Sequence, residues 1–545
     1  MKRRYLTVFL LLPPLSLLAE PVTLEPVTVT STRMERPLAD TPAAVTVVNA
    51  DSNLRGQTRL QLDESLNRVP GLYLQNRYNF AQGLRLSSRG FGSRAPFGVR
   101  GLRLNVDGFP ETLPDGQSQL DSIDLFAVEQ LTVLRGPSSL FYGNATGGVV
   151  DIDTRSGKTR NDAASVSMIG GSHGLTQANV QTRGRHGPGH HALSLTALDY
   201  RGFREQSEVR KYQFTGQAGW DLADTRSMTL FLTAMDTPVA RDPGGLTRQQ
   251  AHQDRRQASS FAARLDAGQQ VDQQRLGLHY RDEAFANGLL NARAFVSQRD
   301  FRQQLPFPGS SLIDYQRRFY GARLDYTLPF TILARPHRLL LGVDLDRQED
   351  DRGRRAVSAT GNITAVTADE DQHASAGGVF LQLDSHLSDH LMFTVGGRAD
   401  RLRMTIDDVL LTDGNDSGRR EFEEHSYSAG LSWQVGPAHT LYTTVSSAFE
   451  SPTFTELANP SGTGGFNPDL EPQTALNREV GARGALGDRL FYEAALFRVD
   501  VDDEITPYEI GGRTFYQNAG QTRRDGLELG LEHATTDQLT LALSW

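Results

Sequence analysis

Past residue 157 the chain runs in alternating apolar and polar positions. Met228, Leu230, Leu232 and Ala234 share one face, with Thr229 and Thr233 on the other; Leu339, Leu341, Val343 and Leu345 repeat the arrangement against Asp344 and Asp346. Side chains of an extended strand point to opposite sides in turn, so each run predicts a strand with one apolar and one polar face. Strands of about ten residues joined by alternately short and long connections are the pattern of a transmembrane barrel. A secreted β-sandwich alternates in the same way, so the period alone leaves both architectures open. Short turns are expected at 388–390, 436–438 and 486–488. Long connections are expected at 201–210, 236–272, 301–312, 349–371, 406–420, 450–473 and 502–513.

Before residue 157 the texture is mixed. Residues 41–48 (TPAAVTVV) open with a strand, and 60–69 (LQLDESLNRV) read as a short amphipathic helix stopped by Pro70-Gly71. Residues 84–91 and 102–110 alternate again and close on glycine. Residues 131–150, LTVLRGPSSLFYGNATGGVV, place Arg135-Gly136-Pro137, Tyr142-Gly143 and Gly147-Gly148 between strand-like runs. Glycine at that density implies tight turns and backbone packed close to something. The expectation is a compact α+β unit over 41–157, followed by a strand-rich unit over 158–545.

Composition narrows the class. A chain of 545 residues is too long for one ordinary soluble core. A formal charge of −9 argues against a phosphate-binding surface, and no nucleic-acid partner is expected. The absence of cysteine excludes disulfides, thiolate zinc sites, a cysteine nucleophile and a lipidated N-terminal cysteine. Mean hydropathy is −0.42, and beyond the N-terminus no apolar run is long enough for a spanning helix. A barrel hides its apolar signal in the alternation and stays allowed. Lys2-Arg3-Arg4, an apolar run to Leu18 and then Ala19 read as a signal peptide over 1–19, cleaved after Ala19. Residues 20–40 are expected to be a flexible lead.

The motif order is more specific than any of these. Arg-Gly-Pro, Tyr-Gly and Gly-Gly-Val before Thr154-Arg155, preceded by Arg89-Gly90-Phe91 and Asp107-Gly108-Phe109-Pro110, closely resembles the plug domain of TonB-dependent outer-membrane receptors. Residues 391–400, 441–457, 467–481, 516–518 and 524–528 resemble barrel motifs of the same family, in the family's order. The resemblance implies an all-β transmembrane barrel with an N-terminal α+β plug in its lumen, in the outer membrane of a Gram-negative bacterium. Family barrels have about twenty-two strands, whereas about seventeen are counted here. Truncation at Trp545, with on the order of a hundred residues missing, is therefore expected. Glu25-Pro26-Val27-Thr28-Val29-Thr30-Ser31 resembles the TonB box, an extended segment able to add a strand to its partner TonB in the periplasm. Other implied partners are outer-membrane lipid, lipopolysaccharide and the barrel-assembly machinery.

No catalytic residues, cofactor or resident metal are expected. HExxH, Walker and dinucleotide fingerprints are missing. His186, His190 and His191 read as a periplasmic turn, and the acidic runs 349–351 and 369–371 as solvated loops. By resemblance, an extracellular ferric chelate, a siderophore or ferric citrate, is the cargo, held by plug tips and loops. Arg77, Tyr78, Asn79, Arg94 and Phe97 supply cations, an amide and aromatic rings on Gly-rich backbone, which suits a planar or anionic chelate. The segment with Gln117 resembles the plug of ferric citrate receptors. Arg201, Arg204, Arg241, Arg248 and Arg255 are expected to add positive charge at the loops. A passive porin-like barrel, or a receptor for cobalamin, another metal or an oligosaccharide, is the alternative.

Overall fold

The computed structural model describes residues 28–29, 31–54, 56–76, 78–95, 97–158, 162–461 and 464–545. Seventeen strands form one sheet in chain order from Ala163–Gly171 to Leu539–Ser544. Every neighbouring pair is antiparallel. The alternation read from the sequence has its expected consequence. Leu341, Val343 and Leu345 are exposed on the outer face, while Asp344 and Asp346 between them are buried on the inner one. An apolar outside and a polar inside suit a wall that meets lipid and encloses a polar lumen. Among the described residues, no pairing joins the first strand to the last.

Short turns and long connections alternate along the sheet, but two expected loops are strands. Arg335–Val357 and Ile363–His386 pair as far as Val357 and Ile363, leaving 358–362 as the connection. Twenty-four residues at about 3.3 Å each exceed a bilayer core of about 30 Å, so this hairpin projects well beyond the membrane. Its charges keep it extended by pairing across strands. Asp350 accepts from Arg317 Nε at 2.7 Å, and Glu370 lies 3.8 Å from Arg352. Within 502–513, Ile505–Ile510 pairs with Arg513–Asn518 as a separate hairpin.

Five strands make the central sheet of the N-terminal unit: β1 (Val45–Asn49), β2 (Leu102–Val106), β3 (Phe109–Pro110), β4 (Val128–Arg135) and β5 (Gly148–Thr154). Their order is β1-β4-β5-β2-β3, with only β2 and β5 parallel. Leu62, Leu66, Leu104, Leu131, Val133 and Ile152 are buried in its core. The dense glycines do what their positions imply. Gly148 has φ +122°, and a Cβ there would lie 2.2 Å from the Leu134 carbonyl oxygen. The expected helix over 60–69 shrinks to Asp63–Leu66. Glu64 turns back to accept from the backbone N–H groups of Arg59 and Leu60 at 2.9 and 2.8 Å, which curls the entry instead of extending the helix.

The lead is less free than its composition implies. Thr28–Val29 pairs with Arg36–Pro37, Ser31, Thr32, Met34 and Arg36 are buried, and Met34 packs with Leu340 and Phe380 of the barrel wall. Two arginines explain this: burying a guanidinium requires carboxylate partners, and the lumen wall provides them. Arg33 bonds Asp344 and Asp325, and Arg36 lies 3.5 Å from Asp384.

Candidate functional site: the plug lock and the outer cleft

The N-terminal unit is held in the barrel by buried charge pairs. Arg89 sends Nε and Nη2 to the two carboxylate oxygens of Glu528, both at 2.8 Å, and Nη1 to Glu479 at 2.5 Å. Its guanidinium lies 4.1 Å from the centre of the Phe497 ring. Arg135 donates to Glu493 at 3.0 Å and to the Pro70 carbonyl at 3.0 Å, and lies 3.4 Å from Glu528. Glu479 also accepts from the Tyr442 hydroxyl at 2.8 Å and from the Ala44 N–H at 3.0 Å. Charges withdrawn from water cost several kcal/mol each unless fully partnered, so removing one member leaves the others exposed to that cost. This network holds the plug firmly while every member is present.

Sequence reading passed over these residues. Arg89 and Arg135 lie in motifs valued for their glycines, and their partners are hundreds of positions away. A signal exists for the glutamates: Glu528 sits between Leu527 and Leu529, a charge on the inward side of an alternating strand.

The outward face of the plug carries the other candidate surface. Tyr78, Asn79 and Gln82 on the plug, with His173, Tyr200, Phe203, Arg204, Asp242, Leu305, Pro306 and Phe307 on the barrel side, enclose a cleft of about 820 Å³. The chain reaches it by the connections 172–174, 201–208, 242–267 and 305–308, all at the same end of the strands. Asp242 forms its floor, accepting from Asn79 Nδ2 at 2.8 Å, Gln82 Nε2 at 2.9 Å and the Gly244 N–H at 2.9 Å. Arg204 crosses between loops, donating to the carbonyls of Gly244 at 2.6 Å, Pro243 at 3.1 Å and Gln257 at 2.8 and 3.2 Å. Burial pulls its pKa below the ordinary arginine value, and the nearby Asp242 opposes that shift. Tyr78, Phe203 and Phe307 stay exposed, and Phe203 meets His173 edge-on at 5.3 Å.

The residues expected to bind ligand are thus split. Tyr78, Asn79 and Arg204 come together in the cleft. Arg94 does not join them: it lies 2.7 Å from Glu450 and 3.0 Å from Glu456, as a further tie between plug and barrel. Phe97 is half-exposed near Arg100, whose guanidinium is 5.2 Å from its ring centre. Gln117 donates Nε2 to buried Asp115 at 2.6 Å, and burial raises the Asp115 pKa. Arg241 pairs with Asp266, and Arg201 lies across Gly174 outside the cleft wall. Arg77 lies outside the described residues, as do Glu25, Pro26, Val27 and Thr30 of the N-terminal segment. Val29 and Ser31 of that segment are buried. In the HGPGHH turn, the His186 and His191 rings stack at 5.7 Å, and His186 lies 3.5 Å from Asp162.

Known proteins share this architecture. The chain matches the TonB-dependent receptor plug domain over residues 37–149 and the TonB-dependent receptor-like β-barrel over residues 196–545. A vitamin B12 transporter, BtuB, of Vibrio vulnificus is 26% identical over 95% of this chain and 77% of its own length. An iron-regulated outer membrane virulence protein of Vibrio cholerae is 23% identical over 96% and 77%. The unliganded ferric citrate transporter FecA superposes with a TM-score of 0.80 at 18% identity, covering 96% of this chain and 80% of that one. At that identity the likeness shows the fold. The chain is a member of the TonB-dependent receptors, plugged β-barrels of the Gram-negative outer membrane.

Proposed function

We propose that the chain binds a bulky, scarce metal chelate, most simply a ferric one, at the outer cleft, and carries it to the periplasm when TonB engages residues 25–31. The observation that carries this reading is the pairing of an open cleft on the outer side with a plug locked into the lumen below it. A barrel filled in this way does not pass a large solute by diffusion; the plug has to move. The ion pairs at Arg89 and Arg135 resist that movement, so work from TonB is required. No bond in the cargo is made or broken, and the cleft residues act by binding and orienting alone.

Uptake of radio-iron supplied as chelates of different chemistry, in cells with and without TonB, tests the reading. Uptake of one chelate that disappears without TonB, and again in Val27→Pro, is the expected result. Iron uptake independent of TonB overturns it in favour of a leaky pore. A second reading, cobalamin as cargo, is favoured by the relative that is 26% identical over 95% of the chain and is described as a vitamin B12 transporter. Labelled cobalamin uptake without iron uptake decides for it.

A further inference from the structure

The wall of the lumen divides into two kinds of surface. From Gly309–Ile332 round to Thr522–Thr536 it presents carboxylates to the plug and its lead, and arginines fill them: Arg33 at Asp344, Arg103 at Asp346, Arg94 at Glu450, Arg135 at Glu493, and Arg89 at Glu479 and Glu528. Strands Leu175–His186, Gly189–Tyr200 and Val209–Ala223 meet the plug with amides and hydroxyls instead. Gln181 Nε2 donates to the Phe126 carbonyl at 2.6 Å, the Ser194 and Thr196 hydroxyls to Asp124 at 2.8 and 3.0 Å, and Gln213 Nε2 to the Ser122 carbonyl at 3.1 Å. Below them Gln217 Nε2 reaches the Thr154 hydroxyl at 3.3 Å. Neutral hydrogen bonds exchange for water or for a solute's polar groups at little net cost, whereas a buried ion pair broken on one side is strongly disfavoured.

Spaces already lie along the neutral side. Under the outer cleft, and sharing Gln82 with it, a cavity of about 50 Å³ is walled by Leu120 and Ile123 of the plug and by Val209 and Lys211 of the barrel. Further down the same strand, another of about 80 Å³ is lined by Thr154, Ser194, Thr215 and Gln217. Only plug residues 122–124, bonded to Gln213, Ser194 and Thr196, stand between the two. Residues 121–127 are neither helix nor strand. The stretch is anchored at both ends, where Arg299 holds Asp121 at 2.7 and 3.1 Å and β4 begins at Val128. Asp124 is buried on two wall hydroxyls and the Phe126 N–H, with no ion pair among the described residues, so its carboxylate gains hydration when the seam parts.

We propose that passage opens along this seam, a reading that rests on the chain being a carrier. Residues 122–127 swing off the wall between Asp121 and Val128, which joins the cleft to the two cavities, while the ion-paired side stays bound as the fixed edge. Gln181, Ser194, Thr196, Gln213 and Gln217 then form a ladder of neutral hydrogen-bonding groups, suited to a cargo whose outer surface is polar and uncharged. Each rung binds weakly enough to release what it holds. Work from TonB is still required, because Leu125 and Phe126 on the moving stretch are buried.

Channel recording of the purified full-length protein in planar lipid bilayers, with urea on the periplasmic side to promote opening, tests the seam without any cargo. The chain has no cysteine, so two introduced pairs can each be bridged by a short reducible bis-methanethiosulfonate. Ser122→Cys with Gln213→Cys bridges the seam; Asn144→Cys with Ser451→Cys bridges the other side, where Asn144 Nδ2 donates to the Ser451 hydroxyl at 2.7 Å. The seam bridge should cut openings about tenfold, reversibly on reduction, and the other bridge by less than about twofold. In unbridged protein, Gln217→Glu should shift the reversal potential in a potassium chloride gradient toward cation selectivity, whereas Thr444→Glu, buried on the inner face of the other side, should not. Retained β-sheet circular dichroism and heat-stable electrophoretic mobility establish that each variant is folded. Openings that survive the seam bridge, equal suppression by the other bridge, or folded Gln217→Glu with unchanged selectivity, each overturns the inference. In cells the same bridges are applied during uptake of a ferric tris-hydroxamate, ferric citrate and cyanocobalamin. A probe stopped by the seam bridge alone upholds the seam and the carrier together; if the parent takes up none of the three, the carrier reading fails and the recordings still decide the seam.

Discussion

Arg33 grips Asp344 with two parallel hydrogen bonds, Nη1 to Oδ1 at 2.8 Å and Nη2 to Oδ2 at 2.9 Å, across 311 positions of sequence. The same guanidinium reaches Asp325 at 3.1 Å and sits between the rings of Tyr142 and Phe380, 4.7 and 5.1 Å from their centres. Arg33 follows the segment that resembles the TonB box by two residues, so tension applied there reaches this contact once the Thr28–Val29 pairing has given way. Replacing it leaves Asp344 with Arg398 at 2.8 Å and Asp325 with Arg293 at 3.3 Å, so the wall stays compensated. Arg33→Ala should therefore loosen the lead by about 1–3 kcal/mol without unfolding the barrel. The chain has no cysteine, so Val27→Cys is a unique label. Its rate of thiol modification without ligand should rise at least about fivefold in the Arg33→Ala background; an unchanged rate means the contact does not restrain the segment.

How much of this was legible beforehand depends on the range of the interaction. Alternation is local, so the strands, their outward leucines and the buried Asp344 and Asp346 were readable from the sequence. The plug was readable from the order of its turns, because a glycine that faces a carbonyl at 2.2 Å leaves its mark in the residue type itself. Ion pairs between plug and barrel leave no such mark. Arg94 and Arg241 look like free loop cations in sequence, and only the folded register brings Glu456 and Asp266 to them. The cleft is harder still: its wall is drawn from five separate stretches, which only the folded register brings together.

The lock around Arg89 behaves as a unit. Arg89→Ala leaves Glu479 and Glu528 facing each other with fewer donors, a cost of about 3–5 kcal/mol for a buried pair broken on one side. Arg89→Lys should recover only part of this, since an ammonium cannot make the paired contact with Glu528. Arg89→Ala with Glu528→Ala should cost less than the two single changes summed, because neither charge is then left alone. Urea titration of plug release, followed by protease access at residues of β4, measures all of these. Strict additivity counts against a coupled lock.

Gly148→Ala tests the close approach in the central sheet. At φ +122° the backbone disfavours any side chain, and the added carbon would lie 2.2 Å from the Leu134 carbonyl oxygen. That neighbour is backbone within β4 and cannot swing away. The plug should lose at least about 1–3 kcal/mol, with the barrel strands unaffected. Hydrogen exchange resolves the two: faster exchange over 128–154 with unchanged barrel protection is expected. Loss of protection throughout the chain would mean that plug and barrel fold as one unit.

Asp107 gives the plug a pH dependence opposite to that of an ion-paired carboxylate. Burial in the lumen, the largest influence, raises its pKa from 3.8 to about 7, although it accepts from the Thr154 N–H at 2.8 Å and from the Thr154 hydroxyl. Asp153 adds to the rise and Arg275 opposes it. Between these two pKa values the folded plug holds a proton that the unfolded chain releases, so stability falls as pH rises through this window and levels off above about 7. The slope is on the order of 1 kcal/mol per pH unit at its steepest. Asn fits this position because it tolerates the positive φ of 54° and its amide oxygen still accepts from Thr154. Asp107→Asn should flatten plug stability measured from pH 4 to pH 8, and at pH 8 the variant should be the more stable protein. A slope that survives the substitution assigns the proton to a neighbouring carboxylate instead.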